Sequence, residues 1–264
     1  MSISFVFTLA QSVEKGMPKA MLSIVMFPCL TDNYGFLIHD SDSGQTATID
    51  TPDANAINAA LEKQNWQLSH IWNTHHHFDH TGGNLALIKT YDCAVIGPEH
   101  DKARIPGLTD GVREGARFTI GKHDVHVLET PGHTDGHIIF HIPSAHDGNG
   151  AAFVGDTIFV MGCGRLFEGT PAQMFASMAK IKALPASTTL YCAHEYTLSN
   201  GRFAQTVEPD NQAMLDYIKI AKALRADGKP TVPTTVAREL AINPFMRAES
   251  AERLGDIRRA KDNF

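Results

Sequence analysis

From Leu22 onward the chain reads as short apolar runs, rich in β-branched and aromatic residues, set between turn residues. This pattern predicts strands at 22–27, 34–39, 46–50, 69–73, 93–97, 124–129, 137–142, 151–155 and 188–192. Helical periodicity interrupts them. In 170–184, Thr170 suits an N-cap and Pro171 the first helical position, and Met174, Phe175, Met178, Ile181 and Leu184 recur at the spacing of a core-facing stripe. Another helix is expected after Thr81-Gly82-Gly83, carrying Leu85, Leu87 and Ile88. Past about residue 194 strand patterns cease. The stretch 210–226 puts Met214, Leu215, Ile218 and Leu224 on one face and stops at Asp227-Gly228-Lys229-Pro230, a glycine-then-proline helix end. Shorter helical patterns follow at 234–241 and 248–260. The expectation is a mixed α/β body over residues 21–194 and an all-helical domain over 195–264, with no internal repeat.

Composition narrows the classes. Of 264 residues, 43% are hydrophobic and 20% charged, enough to bury a sizeable core, and no run approaches the roughly 20 apolar residues of a membrane helix. A net charge of -6 argues against a general nucleic-acid binder. Cys29, Cys93, Cys163 and Cys192 are far apart and form no CxxC pair, so buried free thiols in a reducing compartment are expected. Ile3 to Ala10 is apolar but short and lacks preceding basic residues, unlike an export signal. Residues 1–20 therefore read as a disordered extension. The expected protein is a cytoplasmic monomer with neither nucleic-acid nor membrane partner.

Candidate chemistry concentrates where the run His70-Ile71-Trp72 ends. Residues 74–80 read Thr-His-His-His-Phe-Asp-His, four histidines and an aspartate in seven positions. His75 and His77, two apart, point the same way on an extended segment, whereas Asp79 and His80 follow Phe78 where the chain must turn. One loop can thus hold two cations, and imidazole with carboxylate suits zinc, iron or manganese. Further ligand types close other apolar runs: Pro131-Gly132-His133-Thr134, Gly155-Asp156-Thr157 and Ala193-His194-Glu195. A purification-tag or weak metal tract does not explain potential ligands at the ends of several separate strands. The nine other histidines (39, 70, 76, 100, 123, 126, 137, 141 and 146) read as surface or satisfied core residues, with His76 pointing away from its neighbours.

In that order the four motifs resemble the metallo-β-lactamase superfamily. The resemblance implies an αββα sandwich with two divalent metal ions at one edge, zinc first and iron or manganese as alternatives. It puts His75, His77 and His133 on the first metal, Asp79, His80 and His194 on the second, and Asp156 between them. Other segments are similar to glyoxalase II, the hydroxyacylglutathione hydrolases: Thr31-Asp32-Asn33-Tyr34, the run from Gly162 to Gly169, His194-Glu195-Tyr196, Asn243-Pro244-Phe245-Met246-Arg247 and Arg258 to Asp262. This likeness covers nearly all of the chain from residue 22. It implies substrate contacts from Arg165, Phe167, Tyr196, Arg258 and Lys261, with the last two on the glycine carboxylate of glutathione. Phe167 departs from the pattern, standing where many members have a tyrosine.

The implied reaction is hydrolysis of S-(2-hydroxyacyl)glutathione, such as S-D-lactoylglutathione, to glutathione and a 2-hydroxy acid, the second step of methylglyoxal detoxification. A hydroxide shared by two metals would attack the thioester carbonyl, with Asp79 and Asp156 acting through it. Two rivals are a persulfide dioxygenase of the same superfamily, with one iron and a shorter tail, and a non-catalytic metal-binding protein.

Overall fold

The structure, a computed structural model, describes residues 22–264. The extension expected at 1–20 lies outside them. The first sheet follows chain order: β1 (Leu22–Cys29), β2 (Asn33–Asp40), β3 (Thr46–Ile49), β4 (His70–Trp72), β5 (Ala94–Pro98) and β6 (Asp110–Val112). The next strands are β7 (Arg117–Ile120), β8 (His123–Glu129), β9 (Ile138–Ile142) and β10 (Ala151–Gly155), then a small separate hairpin of β11 (Ile158–Phe159) and β12 (Gly162–Cys163). With β13 (Thr189–Cys192) and β14 (Thr234–Thr235) they complete a second sheet in the order β14-β13-β10-β9-β8-β7.

Each sheet needs both faces covered. Between the sheets Trp72 meets Phe118 and Phe140 with centroids at 5.0 and 5.5 Å, and Phe36 meets Phe153 at 5.6 Å. Burying a side chain of this size contributes about 1.5–3 kcal/mol relative to leaving it exposed. Outside the first sheet, helices Ala54–Gln64 and Asn84–Tyr91 cover Leu37, Ile71 and Val95 with Ile57, Leu61 and Leu87. Beyond the second sheet lies helix Pro171–Lys182, whose Met174, Met178 and Ile181 are fully buried and whose Thr170–Gln173 capping box is formed. The architecture is an αββα sandwich with a helical C-terminal region.

Strand direction places the site. β3 and β4 are parallel, so Asp50 and residues 73–75 leave the first sheet at one end. β8 is antiparallel to β9, β9 to β10, and β10 is parallel to β13, so β8, β10 and β13 also end together. Backbone bonds join these ends across the sandwich, Ile138 N–H to Thr74 O at 2.9 Å and Tyr34 N–H to Ala193 O at 2.7 Å. Five strand ends therefore open onto one edge.

The tail is helical over Thr197–Val207, Gln212–Ala226, Val236–Ile242, Pro244–Arg247 and Ala251–Asp262. It is not purely so, because Thr234 and Thr235 pair with Leu190 and Thr189 and extend the second sheet. Helix Thr197–Val207 is absent from the sequence expectation. Its Gly201 and hydroxyl-rich turns are poor helix formers, and packing decides instead: a Cβ on Gly201 would lie 3.0 Å from Ile218 and 3.1 Å from Met161. Helix Ala54–Gln64 also escaped notice, since only Ile57, Ala60 and Leu61 are buried; its Asp53 cap accepts from the backbone of Asn55 and Ala56.

Candidate metal centre

Two groups of potential ligands converge at the shared edge. His75 Nε2 and His77 Nδ1 are 3.1 Å apart, and His77 Nδ1 and His133 Nε2 are 3.0 Å apart. In the second group, Asp79 Oδ2 is 3.5 Å from His80 Nε2 and 3.4 Å from His194 Nε2. Asp156 lies between them. Its Oδ2 is 3.4 Å from His133 Nε2, and its Oδ1 is 3.4 Å from both His80 Nε2 and His194 Nε2. Donors about 2.0–2.1 Å from one tetrahedral cation stand about 3.4 Å apart, so this spacing fits metal ligation.

Three of the imidazoles are turned to this purpose by what holds their other nitrogen. His80 Nδ1 faces Asp50 Oδ2 at 2.8 Å, His194 Nδ1 faces Asp32 Oδ1 at 2.8 Å, and His133 Nδ1 faces the Arg165 carbonyl at 2.8 Å. Donation from Nδ1–H leaves the lone pair on Nε2, aimed inward. Asp50 is itself fixed by the Thr74 amide and hydroxyl, both at 2.8 Å. Behind the ligands, fully buried His137 accepts the Asp156 amide through Nε2 at 3.0 Å and stacks on His75 at 4.8 Å. The turn that delivers Asp156 needs Gly155, because φ there is +47° and a Cβ would meet His137 Nε2 and Thr74 Oγ1 at 2.7 Å.

Electrostatics favour added positive charge. Among the described residues no lysine or arginine pairs with Asp50, Asp79 or Asp156; histidines alone do. Buried His80 Nε2 and Asp156 Oδ1 have no hydrogen-bond partner among the described residues. Burial tends to raise the Asp156 carboxyl, but His194, His80 and His133 outweigh it and hold it well below the usual carboxylate range. Burial also opposes charge on His80, yet Asp156, Asp50 and Asp79 push it up to about 9. In the first group burial dominates and neighbouring imidazoles reinforce it, taking His77 down to about 4 and His75 well below its ordinary value. The lowered imidazoles of the first group suit a divalent cation directly, whereas in the second group a cation would take the place of the proton that Asp156, Asp50 and Asp79 hold on His80.

His76 projects the other way, its Nδ1 3.0 Å from buried Asp101 Oδ2. The sequence reading missed Asp50, Asp32 and His137 as supports. Asp50 did carry a signal, an acidic residue closing the apolar run of β3 as Asp156 closes β10.

From His133 and Asp156 a cavity of about 610 Å³ extends along the tail, lined also by Arg165, Phe167, Tyr196, Arg258 and Lys261. All five candidate substrate contacts therefore share one space. The Phe167 ring meets His77 and His133 edge-on at 5.6 and 5.4 Å, and Tyr196 stacks on His194 at 4.7 Å. Arg258 is buried and largely committed: Nη1 donates to the Cys163 carbonyl at 2.8 Å, and Nε and Nη2 reach Asp262 Oδ1 at 3.1 and 2.9 Å. Arg165 Nε shares that oxygen at 3.2 Å. Among the described residues, Lys261 Nζ has as polar partners only the carbonyl and hydroxyl of Ser199, both at 3.3 Å.

Comparison with known proteins agrees along the chain. The family model of the metallo-beta-lactamase superfamily matches residues 42–194, and that of the hydroxyacylglutathione hydrolase C-terminus matches 195–264. The hydroxyacylglutathione hydrolase of Maricaulis maris (strain MCS10) is 50% identical over 257 residues, 92% of this chain and 99% of its own. That of Brucella ovis is 52% identical over 226 residues, 86% of each chain. Among solved structures, ETHE1 from Myxococcus xanthus superimposes with a TM-score of 0.69 at 24% identity, covering 90% of both chains, a likeness of fold alone.

Proposed function

As a member of the hydroxyacylglutathione hydrolase family within the metallo-β-lactamase superfamily, the chain is a metal-dependent hydrolase of S-(2-hydroxyacyl)glutathione thioesters, and we propose how its residues divide the work. The reading rests above all on Asp156, which turns one carboxylate oxygen to each ligand group. His75, His77 and His133 would hold one divalent cation and Asp79, His80 and His194 the other, with Asp156 common to both. Zinc suits this donor set, and iron or manganese would also accept it. When bound, such a pair makes water nucleophilic at neutral pH and polarises a carbonyl oxygen.

The chain's own part is positioning. The cavity directs a thioester to His133 and Asp156 while the peptide lies toward Lys261 and Arg258. Phe167 forms an apolar wall beside His77 and His133, and it offers no hydroxyl to the peptide. Tyr196 keeps its hydroxyl and lines the same space, its ring braced on His194. Asp79 is held by Asn33 Nδ2 at 3.1 Å, which leaves it oriented toward the reacting end. A thiol of ordinary pKa, about 8.5, leaves as thiolate without a dedicated proton donor.

Donors for two cations and the matched C-terminal region favour this reading over a single-iron persulfide dioxygenase. A cavity opening from the ligands favours it over a non-catalytic metal binder. Four buried free thiols fit a cytoplasmic protein, which we take to act as a monomer, and no described helix is long and apolar enough to cross a membrane. Purified protein should release glutathione from S-D-lactoylglutathione over many turnovers and consume no oxygen with glutathione persulfide. Oxygen uptake without thioester hydrolysis would overturn the assignment.

A further inference from the structure

We propose that Arg202, outside the contacts considered so far, is a binding residue for the glycine carboxylate of the substrate, acting beside Lys261. The proposal rests on the glutathione-thioester reading above. Arg202 lines the same cavity as His133, Asp156 and Lys261. It lies three positions after Ser199 on helix Thr197–Val207, so both occupy one helical face. Ser199 is the residue whose carbonyl and hydroxyl hold the Lys261 ammonium, each at 3.3 Å. The guanidinium of Arg202 is thereby brought to the lysine side of the cavity, and its charge is among those that lower the Lys261 pKa, after burial and Arg258.

The cavity's charges are unevenly spent. Asp262 is shared by Arg258 and Arg165. Among the described residues, neither Lys261 nor Arg202 has a carboxylate within ion-pair distance. Two unneutralised cations on one wall repel each other, and a single carboxylate between them relieves that repulsion while accepting from both. Arginine supplies a planar fork for it and lysine a point charge. Arg202 is exposed, so the pair is screened and its contribution is smaller than that of a buried contact.

The test compares S-lactoylglutathione with the same thioester esterified at its glycine carboxylate, using the parent, Arg202→Ala and Arg202→Glu. The carboxylate is remote from the scissile bond, so its loss should appear in KM with kcat unchanged. Arg202→Ala should raise KM for S-lactoylglutathione about three- to tenfold at low salt, less at high salt, and Arg202→Glu should raise it further. The esterified substrate should show no such dependence. Unchanged KM in both variants, or an equal rise for both substrates, would overturn the role of Arg202. A parent protein that hydrolyses neither thioester would instead overturn the underlying reading.

Discussion

Replacing Asp156 by Asn should reduce turnover by more than the roughly 10–100-fold that follows loss of a residue merely supporting a metal ligand. The shape is nearly conserved, so the change isolates charge and donor type. Asp156 turns Oδ2 toward His133 and Oδ1 toward His80 and His194. An asparagine keeps one oxygen and puts an amide NH2, which cannot ligate, toward one of the two groups. Metal content should therefore fall to one per chain or less together with kcat. A variant with normal rate and both metals would remove Asp156 from its assigned place.

Arg258→Ala and Lys261→Ala should separate, although the two residues share a helical face. Arg258 is buried, bonded to the Cys163 carbonyl and doubly to Asp262, and its guanidinium lies 5.4 Å from the Phe245 ring centroid. Its removal strands a buried carbonyl and loosens Asp262, a loss of about 2–4 kcal/mol in stability. Denaturant unfolding should show it, alongside a raised KM. Lys261 is half-buried, with Ser199 as its polar partner, so Lys261→Ala should leave stability almost intact and raise KM for S-lactoylglutathione roughly tenfold at constant kcat. Equal stability of the two variants would contradict the anchoring role of Arg258.

The candidate ligands were legible because chemistry was concentrated. Four histidines and an aspartate within 74–80 are improbable as surface decoration, and His133, Asp156 and His194 each follow an apolar run. Strand direction then did the rest, bringing those ends to one edge. The supports were not legible for the opposite reason. Asp50 meets Thr74 across 24 positions and His80 across 30, and Asp32 meets His194 across 162, so the only local mark on either is the place of Asp50 at the end of the apolar run of β3. His137 looked like a satisfied core histidine and is one, yet its acceptor nitrogen holds the Asp156 amide. Edge strands β6 and β7 expose two of three and two of four residues and so lack the apolar run that reveals a strand. The division of labour between Arg258 and Lys261 depends on the Cys163 carbonyl, 95 positions from Arg258.

The central claim, that one carboxylate joins two metal sites into one reactive centre, is tested most directly by titrating metal-free protein with zinc while following S-D-lactoylglutathione hydrolysis. The account predicts that activity reaches its plateau only as bound metal approaches two per chain. Full activity at one metal per chain, with the second adding nothing, would contradict it.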